Sequence, residues 1–309
     1  MRTVGKRKRF FAVLLLTLAT SATLWATPVL SVMMSAEPDF GPENASAVLS
    51  VVSATAAETG AFRVVTAAER EAAIRELEFS LSDLAALRSN TVVTLTPGTY
   101  DLSNRNDVRQ PHLSWNDHFD GFYPVITSVS NLTLRGEHDV KIVIHPRYGW
   151  IMEFQTGRDI RIENIRFVHT TPGFCLGGVL RFELCKNVSL QNIELEGSGT
   201  YGLELTRTNN VTVSGSTVRN CTYGIMECHD SRDILFLDSV FTNNGEFTLI
   251  EINHTSNINF IQCEMTDNWG DTLVSADTSS FSIVFTRCTF ARNQVHTQFH
   301  DRERLRFEE

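Results

Sequence analysis

Asn187-Val188-Ser189-Leu190, Asn210-Val211-Thr212-Val213 and Asp233-Ile234-Leu235-Phe236 are three settings of one phrase. Each has a small polar residue, then an apolar one, any residue, and an apolar one. They follow one another at 23-residue steps. Outward from them the phrase recurs at Asn131-Leu132-Thr133-Leu134, Asp159-Ile160-Arg161-Ile162, Asn257-Ile258-Asn259-Phe260 and Ser282-Ile283-Val284-Phe285, with steps of 23 to 28 residues. Later positions stay in phase. The third residue past the second apolar one is Ile165, Ile193, Ser216, Ser239, Cys263 or Cys288, and two further on stand Phe167, Leu195, Val218, Phe241, Met265 and Phe290. An Asn column follows at Asn244, Asn268 and Asn293. Repeats of this length mark a solenoid. Short alternating apolar runs between Asn/Asp/Gly clusters mark strands and turns. No copy holds a helix-length periodic segment, and leucine-rich spacing is absent.

About 23 residues suit three short strands and three turns, one coil of a parallel β-helix. Coils stack about 4.8 Å apart, so equivalent residues form ladders. Of 29 aromatic residues 20 are Phe, which suits an interior of stacked rings. Cys263 and Cys288 fall one coil apart at an inward position and read as stacked core residues rather than a disulfide. Cys175 and Cys185 lie across a Gly-rich turn and are candidates for pairing.

The segment Asn90-Thr91-Val92-Val93-Thr94-Leu95-Thr96-Pro97-Gly98-Thr99-Tyr100 is similar to the first coil of the pectin-lyase-like superfamily, where an apolar strand leads into Pro-Gly-x-Tyr. With the repeat, the chain resembles the right-handed parallel β-helix proteins of that superfamily. The resemblance implies an all-β, single-stranded right-handed parallel β-helix of about seven or eight coils over residues 61–299. Thr66 and Glu69 form a capping-box pattern, so a capping helix running through Leu87 is expected at the N-terminal end. Residues 300–309 read as a charged tail. The superfamily holds lyases, hydrolases, isomerases and non-catalytic proteins, so the fold does not choose the function.

The chemistry is sought on the third strand. Six residues before each polar start come Glu153, Arg181, Glu204, Glu227 and Glu251, with Ser275 next if its turn is one residue longer. Apolar neighbours flank each, so alternation points this column outward. A second outward column holds Gln155, Glu183, Thr206, His229, Asn253 and Asp277. Two carboxylates one coil apart repel by about 1 kcal/mol in water and about 3–4 kcal/mol at an effective dielectric near 20. Three successive Glu therefore call for compensation: Arg181, a bound Ca²⁺, or a raised pKa that leaves one Glu a proton donor beside an ionised partner. The last gives the acid and base of glycoside hydrolysis. Solvated side chains that splay apart are the bland alternative.

Catalytic candidates are thus Glu204, Glu227, Glu251, His229 and Arg181. Asp271 joins them because Asn268-Trp269-Gly270-Asp271-Thr272 is similar to the Asn-x-Gly-Asp-Asp turn of polygalacturonase-type hydrolases, although Thr272 replaces the second Asp. Tyr201, Tyr223 and Trp269 recur just before the third strand and, with Glu183, Asn253 and Asp277, are substrate-binding candidates. The 101–124 insertion and residues 169–178, which include His169, are loops expected to cover the patch. No Cys/His metal spacing occurs, so Ca²⁺ is the only cofactor the pattern suggests.

The N-terminus sets the compartment. Arg2, Lys6, Arg7, Lys8 and Arg9 precede an almost uncharged stretch beginning Phe-Phe-Ala-Val-Leu-Leu-Leu. Residues 1–35 read as an export signal or a retained membrane anchor, and residues 36–60 as a linker. The rest carries 22 basic against 36 acidic residues, which argues against nucleic acid as a partner. The expected partner is a polysaccharide or cell-surface glycan outside the cytoplasm, bound and, in the enzyme reading, cleaved. The competing class is a non-catalytic surface β-helix, an adhesin or carbohydrate-binding scaffold.

Overall fold

The structure is a computed structural model and describes residues 51–53, 63–65, 81–103, 109–170, 176–197 and 199–309. The chain divides into two units, Met1–Arg70 and Glu71–Glu309. In the first, Val51–Ser53 pairs antiparallel with Arg63–Val65. The signal or anchor, most of the linker, the helix expected over 66–80 and Cys175 lie outside the described residues. No helix among the described residues is long and apolar enough to cross a membrane.

The second unit is a parallel β-helix with three sheets. The first has nine strands, from Thr91–Leu95 to Leu305–Glu308; the second has eight, from Gly98–Asp101 to Thr289–Ala291; the third has nine, from Leu113–His118 to Gln294–His300. The repeat dictates this. Each polar start adopts a left-handed backbone: φ is 54° at Asn131, 53° at Asp159, 57° at Asn187 and Asn210, 58° at Asp233, and 57° at Asn257 and Ser282. Asn and Asp tolerate that region because short polar side chains bond locally. Here they bond along the solenoid: Asn187 Nδ2 donates to Asp159 Oδ1 at 2.7 Å and Asn210 Nδ2 to Asn187 Oδ1 at 2.9 Å.

Inside, the phase-locked positions become ladders. Phe236, Phe260 and Phe285 stack at 4.8 and 4.6 Å between centroids, and Phe154 stacks on Phe182 at 5.1 Å. The Asn column, fully buried at Asn244 and Asn268, satisfies turn amides: Asn268 Oδ1 accepts from Asn244 N at 3.0 Å, and Asn293 Oδ1 from Asn268 N at 3.1 Å. Cys263 and Cys288 are free thiols, and Cys288 Sγ donates to the Phe260 carbonyl at 3.3 Å. Cys185 is likewise a free, buried thiol, which donates to the Phe154 carbonyl.

Three regions differ from the sequence expectation. The described part of the N-terminal cap is a 3-10 turn, Leu81–Ala86, whose Leu84 is buried together with Leu87. In the described part of the 101–124 insertion, Leu113–His118 and Gly121–Thr127 form an antiparallel hairpin that extends the third sheet at its first end. The C-terminal residues rejoin the body, since Leu305–Glu308 pairs with Phe281–Thr286 and stacks Phe307 on Phe285 at 5.2 Å.

Candidate functional site

The third sheet brings the charged column together in register. Glu153 pairs with Arg181, Arg181 with Glu204, Glu204 with Glu227, Glu227 with Glu251, and Glu251 with Ser275. The inward neighbours Leu203, Leu205, Met226, Cys228, Ile250 and Ile252 are buried. Alternation thus fixes the column on the outer face, as its spacing implies.

That face is not evenly solvated. Glu153 is only 1% exposed, and its Oε2 has no hydrogen-bond partner among the described residues. Its other oxygen accepts from Gln155 Nε2 at 2.7 Å. Arg181 faces three acids: Glu204 at 3.0 Å, Glu183 at 3.7 Å and Glu153 at 3.8 Å. Arg207, which sequence reasoning left out, also pairs with Glu183. The two guanidinium groups thus pair with Glu153, Glu183 and Glu204, and with neither Glu227 nor Glu251 of the same face. The excess shows on Glu204, where burial pushes the carboxyl up to about 7 against the opposing pull of Arg181, with Glu227 adding repulsion. Burial, with Glu251 beside it, raises Glu227 as well. Compensation is therefore shared between Arg181 and a retained proton.

Glu251 accepts hydrogen bonds from Tyr201 Oη at 2.9 Å and Asn253 Nδ2 at 3.1 Å. Tyr201 reaches it across the coil whose register partner is Gly224, a position without a side chain. Tyr201 and Asn253 thus position a carboxylate. Tyr223 meets Phe247 edge-on at 4.8 Å. Trp269 packs on Gly245, where an added Cβ would come within 2.3 Å of the ring, yet Trp269 remains 47% exposed. These three rings line the edge of the sheet.

Other candidates stand apart. Asp271 lies four residues before Ser275 on its strand, about 13 Å along at strand rise; it is exposed and pairs with His296 at 3.3 Å. His229 pairs with Asp230 at 3.4 Å, and its ring meets that of His254 edge-on. Asp277 is held by Ser279, Ser280 and His254. His169 is buried and donates from Nε2 to the Gly178 carbonyl at 2.8 Å; burial holds its pKa down, so the ring is neutral and structural.

Residues 177–308 match the family model described as the right handed beta helix region. The fold of the second unit is a right-handed parallel β-helix. No curated protein matches it. Among solved structures, this β-helix is similar to the pectin methylesterase from Aspergillus niger, at 11% identity and a TM-score of 0.40 over 74% of this chain and 79% of that one. It is similar to pectate lyase Pel9A at 10% identity and a TM-score of 0.37, covering 71% of each chain. It is also similar to PfbA, a surface adhesin of Streptococcus pneumoniae, at 10% identity and a TM-score of 0.34, covering 70% of each. At such identities the likeness concerns the fold alone, and the β-helix rests on its own ladders.

Proposed function

We propose that this β-helix binds an extended polysaccharide along its third-sheet face, outside the cytoplasm, and hydrolyses it there with Glu204 and Glu227. The observation that carries the reading is the proton-holding carboxyl of Glu204 beside acids in strand register. Glu204 is the acid and Glu227 the second carboxylate. Neighbouring coils lie about 4.8 Å apart, close to the carboxyl spacing of about 5–5.5 Å in retaining glycosidases. Arg181 orients Glu204, Tyr201 holds Glu251 beside the pair, and Tyr223, Phe247 and Trp269 offer ring faces for sugars at the edge. The basic N-terminus followed by an uncharged stretch supports export.

One observation favours a second reading. The hairpin Leu113–Thr127 continues the sheet instead of folding over it, which leaves an open surface suited to a non-catalytic adhesin or glycan-binding scaffold. A polysaccharide panel separates the two, read by reducing-end release and by absorbance of unsaturated uronates, with and without Ca²⁺. The hydrolase reading expects reducing ends without absorbance, lost in Glu227→Gln with the far-UV circular dichroism unchanged. Absorbance that needs Ca²⁺ would replace it with a lyase using Arg181. Binding without product would establish the scaffold.

A further inference from the structure

The turn between the third and first sheets repeats one backbone conformation. Arg207, Asp230 and His254 occupy equivalent left-handed positions in successive coils, with φ of 49°, 51° and 49°. Main-chain bonds lock the coils there: Arg207 N donates to His229 O at 2.8 Å, and Asp230 N to Asn253 O at 3.1 Å. Asp230 and His254 therefore stack at coil spacing, with His229 beside them as the last residue of its strand. One donor atom from each of the three lies within 4.8 Å of the other two, the single such convergence among the described residues.

The chemistry of these donors is set by their neighbours. His254 Nδ1 lies 3.1 Å from Asp277 Oδ2. The Nδ1 edge of the ring thus faces Asp277, and Nε2 is the ring nitrogen left for a metal. Asp277 is itself fixed by the Ser279 hydroxyl at 2.8 Å, the Ser280 hydroxyl at 2.6 Å and the His254 amide at 3.1 Å. A carboxylate behind a histidine is the arrangement that orients metal-binding imidazoles. His229 Nε2 lies 3.4 Å from Asp230 Oδ2, so these two donors face each other at about ligand spacing. Arg207, the cation of the preceding coil, is tied to Glu183.

The geometry points to a binding site for a divalent first-row transition ion, with Zn²⁺ as its probe, formed by His229, Asp230 and His254 and oriented by Asp277. Two imidazoles and one carboxylate suit such an ion better than Ca²⁺ or Mg²⁺, which take oxygen ligands. Tetrahedral Zn²⁺ places its donors roughly 3.4 Å apart. The three side chains are exposed, so rotamer changes can close the remaining distance. Three protein donors leave a coordination position to water.

The inference is independent of the polysaccharide reading, because its readout is ion binding. Chelator-treated full chain would be titrated with Zn²⁺ by calorimetry, with circular dichroism on each variant. One ion per chain is expected. His229→Gln and His254→Gln should each weaken binding at least tenfold. Asp277→Asn keeps all three donors and should weaken it about tenfold. Co²⁺ should give the absorption bands of a low-coordinate site, lost in the same variants. Absence of Zn²⁺ binding, or binding unchanged in both histidine variants, would overturn the assignment.

Discussion

Two charged columns run along this solenoid at the same coil spacing, and they resolve differently. On the second sheet, Arg166 and Arg219 flank Glu194 and Glu196 from the coils on either side. Arg166 pairs with Glu194 at 3.4 Å and also with Glu196; Arg219 pairs with Glu196 at 3.1 Å and also with Glu194. Two cations answer two anions, and the ladder closes on itself. On the third sheet, Arg181 pairs with Glu153, Glu183 and Glu204 and Arg207 with Glu183, while Glu227 and Glu251 pair with neither, and the Glu204 carboxyl is pushed up to about 7. Coil stacking imposes the spacing in both places. Of these two columns the one on the third sheet leaves charge uncompensated, and that excess is the physical basis for the chemistry proposed there.

The comparison can be broken most forcefully through turnover. With a substrate in hand, Glu204→Gln or Glu227→Gln should lower kcat by about 10²–10⁴-fold, while Glu194→Gln on the balanced ladder should leave it unchanged. Equal effects from the two faces would remove the distinction.

Arg181→Met should cost about 3 kcal/mol in denaturant unfolding, because it strands the buried Glu153. Arg219→Met should cost about 1 kcal/mol or less, as befits a partly exposed pair.

A pH series sharpens the same point. The Glu204 carboxyl titrates near 7 in the folded protein against an ordinary value of 4.5. Between those values the folded state holds the extra proton, so stability is greatest below about pH 4.5 and declines as pH rises through 7. The decline from this group should be about 3 kcal/mol and should vanish in Glu204→Gln.

The smallest effect concerns positioning. Tyr201→Phe removes one donor to Glu251 and should cost about 1 kcal/mol of stability. It should also lower kcat more than it raises KM if Glu251 takes part in turnover.

The fold was legible because every coil restates it. The polar start demands a left-handed residue, alternation fixes the inward face, and the period then sets the register, including Ser275 opposite Glu251. The column of candidate acids followed from the same counting. Features that depend on side-chain reach did not. The hydroxyl of Tyr201 crosses a whole coil to Glu251, the guanidinium of Arg207 turns back to Glu183, and Glu153 is buried at the start of the column. No periodicity encodes these contacts. The hairpin Leu113–Thr127 was hidden for another reason: it breaks the repeat, and its His/Asp-rich tip reads as a loop. Trp269, taken as a sugar platform, is partly a packing residue because Gly245 lies against it.

The most direct test is the titration of the Glu204 carboxyl itself, followed by ¹³C NMR and assigned by the loss of its signal in Glu204→Gln. The account predicts a midpoint near 7, moved further upward when Arg181 is replaced by Met. A midpoint near the ordinary value of 4.5 would contradict it, because the third-sheet acids would then be as well compensated as those of the second sheet.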